Sequence, residues 1–246
     1  MRYGYIVIAA GLMALVSACD NNTENMREIR DGQRELRVKI EELTKKVDQI
    51  ASRPAPAAQA GQPDPNKVYT LPVGASSVLG PPEAPVTMVE FADYQCPFCA
   101  RNVPLIKQVM EAYPKQVKFV YKEFPLTSIH NNAMNASKAA IAAQRQGKYW
   151  EMHHKLFENS SNLAEDNIKK LAAEVGLDVA KWETDYKSPE VEKQVQDDMR
   201  LGSQSDVRGT PTMFIEGKRV QNRSLEGIKA MVDEALKTKE GAAKAG

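Results

Sequence analysis

The sequence predicts an α/β domain with a helical insertion, preceded by an N-terminal coiled-coil helix, and three observations carry this. An apolar run, Val86-Thr87-Met88-Val89-Glu90-Phe91-Ala92, is followed by Cys96-Pro97-Phe98-Cys99 and then by a helix-like stretch. Between Pro125 and Arg208 the pattern is almost entirely helical. From Met26 onward, apolar residues recur at alternating spacings of three and four.

Taken along the chain, residues 1–18 read as a signal segment, with Arg2 as a positive n-region and Ile6 to Val16 as an apolar core. That core falls well short of the roughly 20 residues that a permanent membrane span needs. Val16-Ser17-Ala18-Cys19 follows and resembles the lipobox of bacterial lipoproteins. The resemblance implies a diacylglyceryl group on Cys19, an acylated amino group, and a lipid anchor in the cell envelope facing the periplasm. Asp20 favours the inner membrane by the same resemblance. An ordinary secretory signal with Cys19 as a stray thiol is the alternative.

Residues 19–52 form a tether and a coiled-coil helix. Met26, Ile29, Leu36, Ile40, Leu43, Val47 and Ile50 occupy a and d positions, with Gln33 in one polar slot and charged residues flanking them. Such a stripe has nothing local to bury against, so the segment 24–52 points to a homo-oligomer. The alternative is a single amphipathic helix lying on its own domain or on a membrane surface. Residues 53–66, with Pro54, Pro56, Pro63 and Pro65 among alanines and glutamines, form a semi-extended linker.

Residues 67–240 hold the globular domain, with strands expected at Val68 to Val73, Val86 to Phe91 and Val117 to Tyr121, and a hairpin of Thr212 to Ile215 with Lys218 to Val220 around Glu216-Gly217. Helices are expected at Phe98 to Ala112, Ala133 to Gln146, Tyr149 to Glu158, Glu165 to Val175, Val179 to Tyr186, Pro189 to Ser203 and Leu225 to Leu236. The insert covers about 126–207. Pro104 falls inside the first of these helices, where it costs about 3 kcal/mol relative to alanine.

Composition narrows the function. The chain has 246 residues, a net charge of +1 and only three cysteines. No broad basic excess is offered to nucleic acid, and no structural disulfide framework can be built. His130, His153 and His154 lack a second Cys/His pair at zinc spacing, so no metal site is assigned. His153 and His154 are expected on a helix surface or its boundary. Tyr149, Trp150 and Phe157 read as core of the insert.

The chemistry lies in the two thiols. At a helix start, unpaired backbone N–H groups and the dipole favour an anion, so Cys96 is the expected nucleophile and Cys99 the resolving thiol. Pro97 and Phe98 set the electronics between them. Glu90, in phase with Met88 and opposite to Val89 and Phe91, reads either as a buried acid near the sulfurs or as a solvent-facing strand residue.

Strand, CxxC, helix, strand, and then a strand entered through Gly209-Thr210-Pro211-Thr212 resemble the thioredoxin fold. The several helices between the central strands resemble the DsbA-type thiol:disulfide oxidoreductases in particular. The resemblance implies that Pro211 is a cis-proline facing the dithiol and that Glu90 relays a proton to Cys99. It also implies that Thr210 and Pro211 align an extended client, with no cofactor, and that His130, near the start of the insert, has a capping or packing role. Thr210 matches isomerase and reductase members as much as oxidases. Strongly oxidising members carry a histidine in the dipeptide, where this chain has Phe98. Expected partners are secreted or periplasmic clients with thiols or disulfides and a membrane redox partner. A non-catalytic envelope scaffold, or a copper-handling protein using Cys96 and Cys99 as soft ligands, is the competing reading.

Overall fold

A computed structural model describes residues 27, 29–45, 64 and 66–245. The signal-like segment with Cys19, the heptad positions Met26, Val47 and Ile50, and nearly all of the proline-rich linker lie outside the described residues. The chain divides into two units, at Gln62 and Pro63. In the first, residues 29–45 form helix α1, and Ile29, Leu36, Ile40 and Leu43 are all exposed along it.

The second unit is built on a five-stranded sheet in the order β1-β3-β2-β4-β5. Its centre is β2 (Val86–Ala92), parallel to β3 (Val117–Glu123) and antiparallel to β4 (Thr212–Ile215). The edges are β1 (Val78–Leu79), antiparallel to β3, and β5 (Lys218–Arg219), antiparallel to β4. Both faces of β2 are covered, so the strand is apolar almost throughout. Val86, Met88 and Ala92 join the large core cluster, while Val89 and Phe91 point into a smaller one with Tyr69, Phe124 and Phe214. By strand alternation Glu90 faces the large cluster.

Helix α2 (Pro97–Ala112) follows β2, with Pro97 in its first turn and Pro104 inside. The insert comprises α3 (Ala133–Gln144), α4 (Tyr149–Glu158), α5 (Glu165–Glu174), α6 (Val179–Tyr186) and α7 (Pro189–Gln204). Helix α3 is its hub: Ala136, Ala139, Ala140, Ala142 and Ala143 are buried, and these small side chains let α4, α5, α6 and α7 all pack on it. Asp178 caps α6 by accepting from Lys181 N, and Ser188 caps α7 by accepting from Val191 N ahead of Pro189. A buried ion pair joins sheet to insert: Lys122 Nζ lies 3.0 Å from Asp198 Oδ1, and Asp198 Oδ2 accepts from Glu123 N. Helix α8 (Leu225–Ala245) packs on α2, where Tyr113 Oη donates to Asp233 Oδ1 at 2.7 Å.

Three expectations need correction. Val68 to Val73 is not a strand: only Val68 bridges to Lys218, and Tyr69 N donates to Gly217 O. Pro72 has no N–H for a ladder, and the edge of β3 is taken instead by Val78 and Leu79. Helix α8 runs on to Ala245, nine residues beyond Leu236. His153 is not on a surface; it is buried among the rings of Tyr94, Tyr121, Trp150 and Phe157, while His154 is exposed. The Glu216-Gly217 hairpin forms as expected, with positive φ at both residues, and a Cβ on Gly217 would run into the Tyr69 carbonyl.

Candidate active site

The turn from β2 to α2 is held from outside by one carboxylate. Asp93 is fully buried; its Oδ1 accepts from Gln95 N at 2.7 Å, and its Oδ2 accepts from Leu126 N and His130 Nδ1, both at 2.8 Å. Asn132 N donates to Gln95 Oε1 at 2.6 Å, and Cys96 N donates to Asp93 O at 3.1 Å. The loop that opens the insert is thereby tied to the loop that carries the dithiol. His130 is one of those ties rather than a cap. Replacing Asp93 with alanine leaves three donors without an acceptor, at about 1–3 kcal/mol for each one that stays dry. A loss of about 3 kcal/mol in urea unfolding is expected; a loss under about 1 kcal/mol would mean that water replaces the carboxylate.

Cys96 is the N-cap of α2 and Cys99 lies in its first turn, so both sulfurs sit at the positive end of the helix. Both cysteines are free thiols; Cys96 is 4% and Cys99 1% exposed. The surface of the turn is made by Pro97 and Phe98, the latter 57% exposed with Arg101 over its ring at 4.5 Å. The environment separates the two thiols sharply. The Cys99 thiol hydrogen-bonds the Cys96 sulfur, and with the Thr210 side chain and the N–H groups of Phe98 and Cys99 this brings Cys96 down from 9.0 to about 5, against the effect of burial. Burial first, then that same hydrogen bond and the charge of Glu90, drive Cys99 far above the ordinary thiol range.

Across the sulfurs lies the loop before β4. The Thr210–Pro211 peptide is cis, and the Cys96 thiol donates to Thr210 O at 3.4 Å. The Thr210 hydroxyl is buried with no hydrogen-bond partner in this state. Once Cys96 ionises it has no proton to give the carbonyl, and this hydroxyl can join the Cys99 thiol and the N–H groups of Phe98 and Cys99 as a donor to its sulfur.

Glu90 is 4% exposed, not solvent-facing. Asn102 Nδ2 donates to its Oε1 at 2.8 Å, and burial raises its carboxyl from 4.5 to about 7 against the pull of Asn102 and Arg223. It also lines a cavity of about 640 Å³ walled by Val103, Ile106, Phe119, Trp150 and His153. The structure thus brings Glu90, Cys96, Cys99, Thr210 and Pro211 together. Asp93, Asn102 and Arg223 were absent from the sequence reading. Only Asp93 carried a local signal, as a polar residue closing an apolar strand just before the CxxC; Asn102 and Arg223 reach the site through packing alone. Among the described residues no group of three or more His, Cys, Asp or Glu could hold a metal ion.

Chemically, this arrangement can run thiol–disulfide exchange: one thiolate stable near neutral pH, one buried partner thiol, and a proton-holding acid beside them.

Known proteins place the chain. A family model described as Thioredoxin matches residues 73–234. A thioredoxin-like oxidoreductase from Silicibacter pomeroyi is 35% identical, with a TM-score of 0.61 over 66% of this chain and 92% of that one. BdbD from Bacillus subtilis, in its oxidised form, is 24% identical with a TM-score of 0.62, over 69% and 97% of the two chains. Wolbachia pipientis α-DsbA1 is 17% identical with a TM-score of 0.60, over 72% and 97%; these last two likenesses concern the fold. The Na(+)/H(+) antiporter NhaA 1 of Mycolicibacterium gilvum is 36% identical over 144 residues, 58% of this chain. The chain spans about a quarter of the length of such curated relatives, 23% of that antiporter. Since the matched residues take in the dithiol, the helical insert and the Thr210–Pro211 loop, the chain belongs to the thioredoxin family, with a fold like those of BdbD and α-DsbA1.

Proposed function

We propose that the protein is a thiol:disulfide oxidoreductase that forms or rearranges disulfide bonds in secreted or periplasmic client proteins through Cys96 and Cys99. The observation that carries this is the opposed tuning of the two thiols, Cys96 brought down to about 5 and Cys99 driven up, beside the Thr210 carbonyl. In the oxidised protein, a client thiolate attacks the Cys96 sulfur. The Cys96–Cys99 bond breaks, and the electron pair and a proton go to Cys99, with Glu90 as the donor. A second client thiolate then attacks the client sulfur of the mixed disulfide, the client bond forms, and Cys96 departs as a stabilised thiolate. Two client thiols become one disulfide and the protein is left as the dithiol; a membrane redox partner removes the two electrons. Starting instead from the dithiol, Cys96 opens a wrong client bond and a later attack within the client releases it, with no net redox change. Glu90 exchanges its proton with solvent through the cavity it lines.

Equilibration of the protein in glutathione buffers of graded potential checks the reading. A single two-electron transition of Cys96 and Cys99 is expected. A strongly reducing midpoint would leave rearrangement and remove bond formation, and the absence of any transition would sink the proposal.

We also propose a lipid anchor at Cys19 in the cell envelope, with the inner membrane favoured, on the lipobox resemblance of Val16 to Cys19. Among the described residues no helix is long and apolar enough to cross a membrane. The reading also includes self-association: Ile29, Leu36, Ile40 and Leu43 form an exposed apolar seam on α1, and a second copy of the same helix buries it at heptad spacing. Charges placed at Leu36 and Ile40 are expected to convert an oligomer to a monomer in sedimentation. A chain that sediments as a monomer before the change would refute the seam's role.

A further inference from the structure

The Thr210–Pro211 loop also walls a second cavity, of about 410 Å³, which no step of the exchange uses. Three arginines line it, Arg208, Arg219 and Arg223, against one acid, Asp206. That acid is already engaged: its Oδ2 accepts from Lys67 Nζ at 3.0 Å and from Tyr69 Oη at 2.8 Å. The arginines are anchored mainly by neutral groups. Arg219 Nη2 donates to the carbonyls of Ser205 and Asp206, its guanidinium lies 5.0 Å over the Phe214 ring, and its Nε is buried with no hydrogen-bond partner. Arg223 Nη1 donates to Pro211 O at 3.1 Å and acts on the buried Glu90 through space. Arg208 is exposed and feels Asp206 only through space. Carbonyls orient a guanidinium without cancelling its charge, so the cavity keeps a positive excess with donors to spare. It begins at Thr210, whose carbonyl lies 3.4 Å from the Cys96 sulfur.

Resting on the oxidoreductase reading, we propose that this cavity is a subsite for a carboxylate carried next to the reacting sulfur, so that the protein favours acidic disulfides. The step it serves is balanced: the Cys96 thiolate attacks a disulfide RSSR, forms the mixed disulfide and releases RS⁻. Cys99 then displaces the second thiol, which leaves with the Cys99 proton, and the dithiol has given two electrons to the RSSR bond. A carboxylate on R, held by Arg208 and Arg219, places the attacked bond beside Cys96.

The test uses the reduced protein and three small symmetrical disulfides: cystamine as cation, hydroxyethyl disulfide as neutral, and dithiodiglycolate as anion. Each rate is divided by that of the same disulfide with dithiothreitol. An advantage of about tenfold for the anion over the neutral compound is expected at low salt. It should shrink in 1 M salt, where screening acts within about 3 Å. Arg208→Gln should cut it to about twofold to threefold, and Arg208→Glu should reverse it. A ratio near one in the unaltered protein, or one that both variants leave as it was, overturns the subsite while exchange with hydroxyethyl disulfide still stands. No reaction with hydroxyethyl disulfide overturns the oxidoreductase reading itself. Glutathione disulfide and a peptide disulfide with aspartate beside its cysteine then distinguish the sources: the faster of the two shows whether the carboxylate belongs to a small thiol or to a protein client.

Discussion

Cys96→Ser is expected to remove disulfide exchange, with a loss of at least about 10³-fold in kcat/KM. A serine oxygen neither ionises near neutral pH nor forms the mixed disulfide, and Cys99 cannot take over. It is 1% exposed, and its environment drives its ionisation far above the ordinary thiol range. Cys99→Ser should differ in kind: Cys96 still attacks, but without a resolving thiol the mixed disulfide accumulates and is seen by mass spectrometry. The same sulfur sets a pH dependence. With Cys96 brought down from 9.0 to about 5, alkylation by iodoacetamide should be on a plateau above about pH 6 and fall roughly tenfold per pH unit below about 5. The depressed value also means that its contribution to the stability of the reduced protein is complete above the unfolded thiol's pKa and is lost as pH falls through about 5. An alkylation midpoint near 9, or full exchange activity in Cys96→Ser, would falsify the assignment of Cys96 as nucleophile.

Glu90→Gln is expected to make the protein more stable and less active at once. Burial raises this carboxyl from 4.5 to about 7, so the folded state prefers it neutral. Stability tied to the neutral form is present below about pH 4.5 and is lost as pH rises through about 7, to the extent of about 3 kcal/mol. Glutamine is always neutral and keeps an oxygen for Asn102 Nδ2. The variant should match the unaltered protein near pH 4 and exceed it by up to about 3 kcal/mol at pH 8 in urea unfolding. Glu123, raised to about 8 by its own burial, contributes in the same direction but equally in both proteins, so it cancels in the difference. Without an acid beside Cys99, release of that thiol should slow about 10²-fold in single turnover, with the loss greatest where Glu90 is protonated. Faster unfolding of Glu90→Gln at pH 8, or unchanged single-turnover rates, would refute the roles given to desolvation and proton transfer respectively.

The α/β class with its helical insert was legible because strands and helices impose different apolar periods over many residues. Tyr149–Glu158 and Val179–Tyr186 have the same bounds in sequence pattern and structure. Two-residue β1 was not legible, since Val78 and Leu79 are too few for any period, and the alternation of Val68 to Val73 offered a false rival. His153 was misplaced for a related reason: beside His154 it reads as a polar pair, yet one helical step of about 100° turns one ring into the core and leaves the other in solvent. Its ionisation is held well below 6.5, chiefly by burial, so it enters the core as the neutral ring.

What the sequence determined by itself was local: a strand handing two thiols to a helix start, a proline after Thr210, a heptad stripe, and an acid in phase with Met88. Only the tertiary structure decided which of these groups meet and in what charge state. Thr210 lies 114 positions from Cys96, and Arg208 joins a pocket whose wall is the Thr210–Pro211 loop. The reason is physical. Ionisation depends on which water molecules and which counter-charges surround a group, and those are supplied by residues that the chain order keeps far apart and only packing brings near.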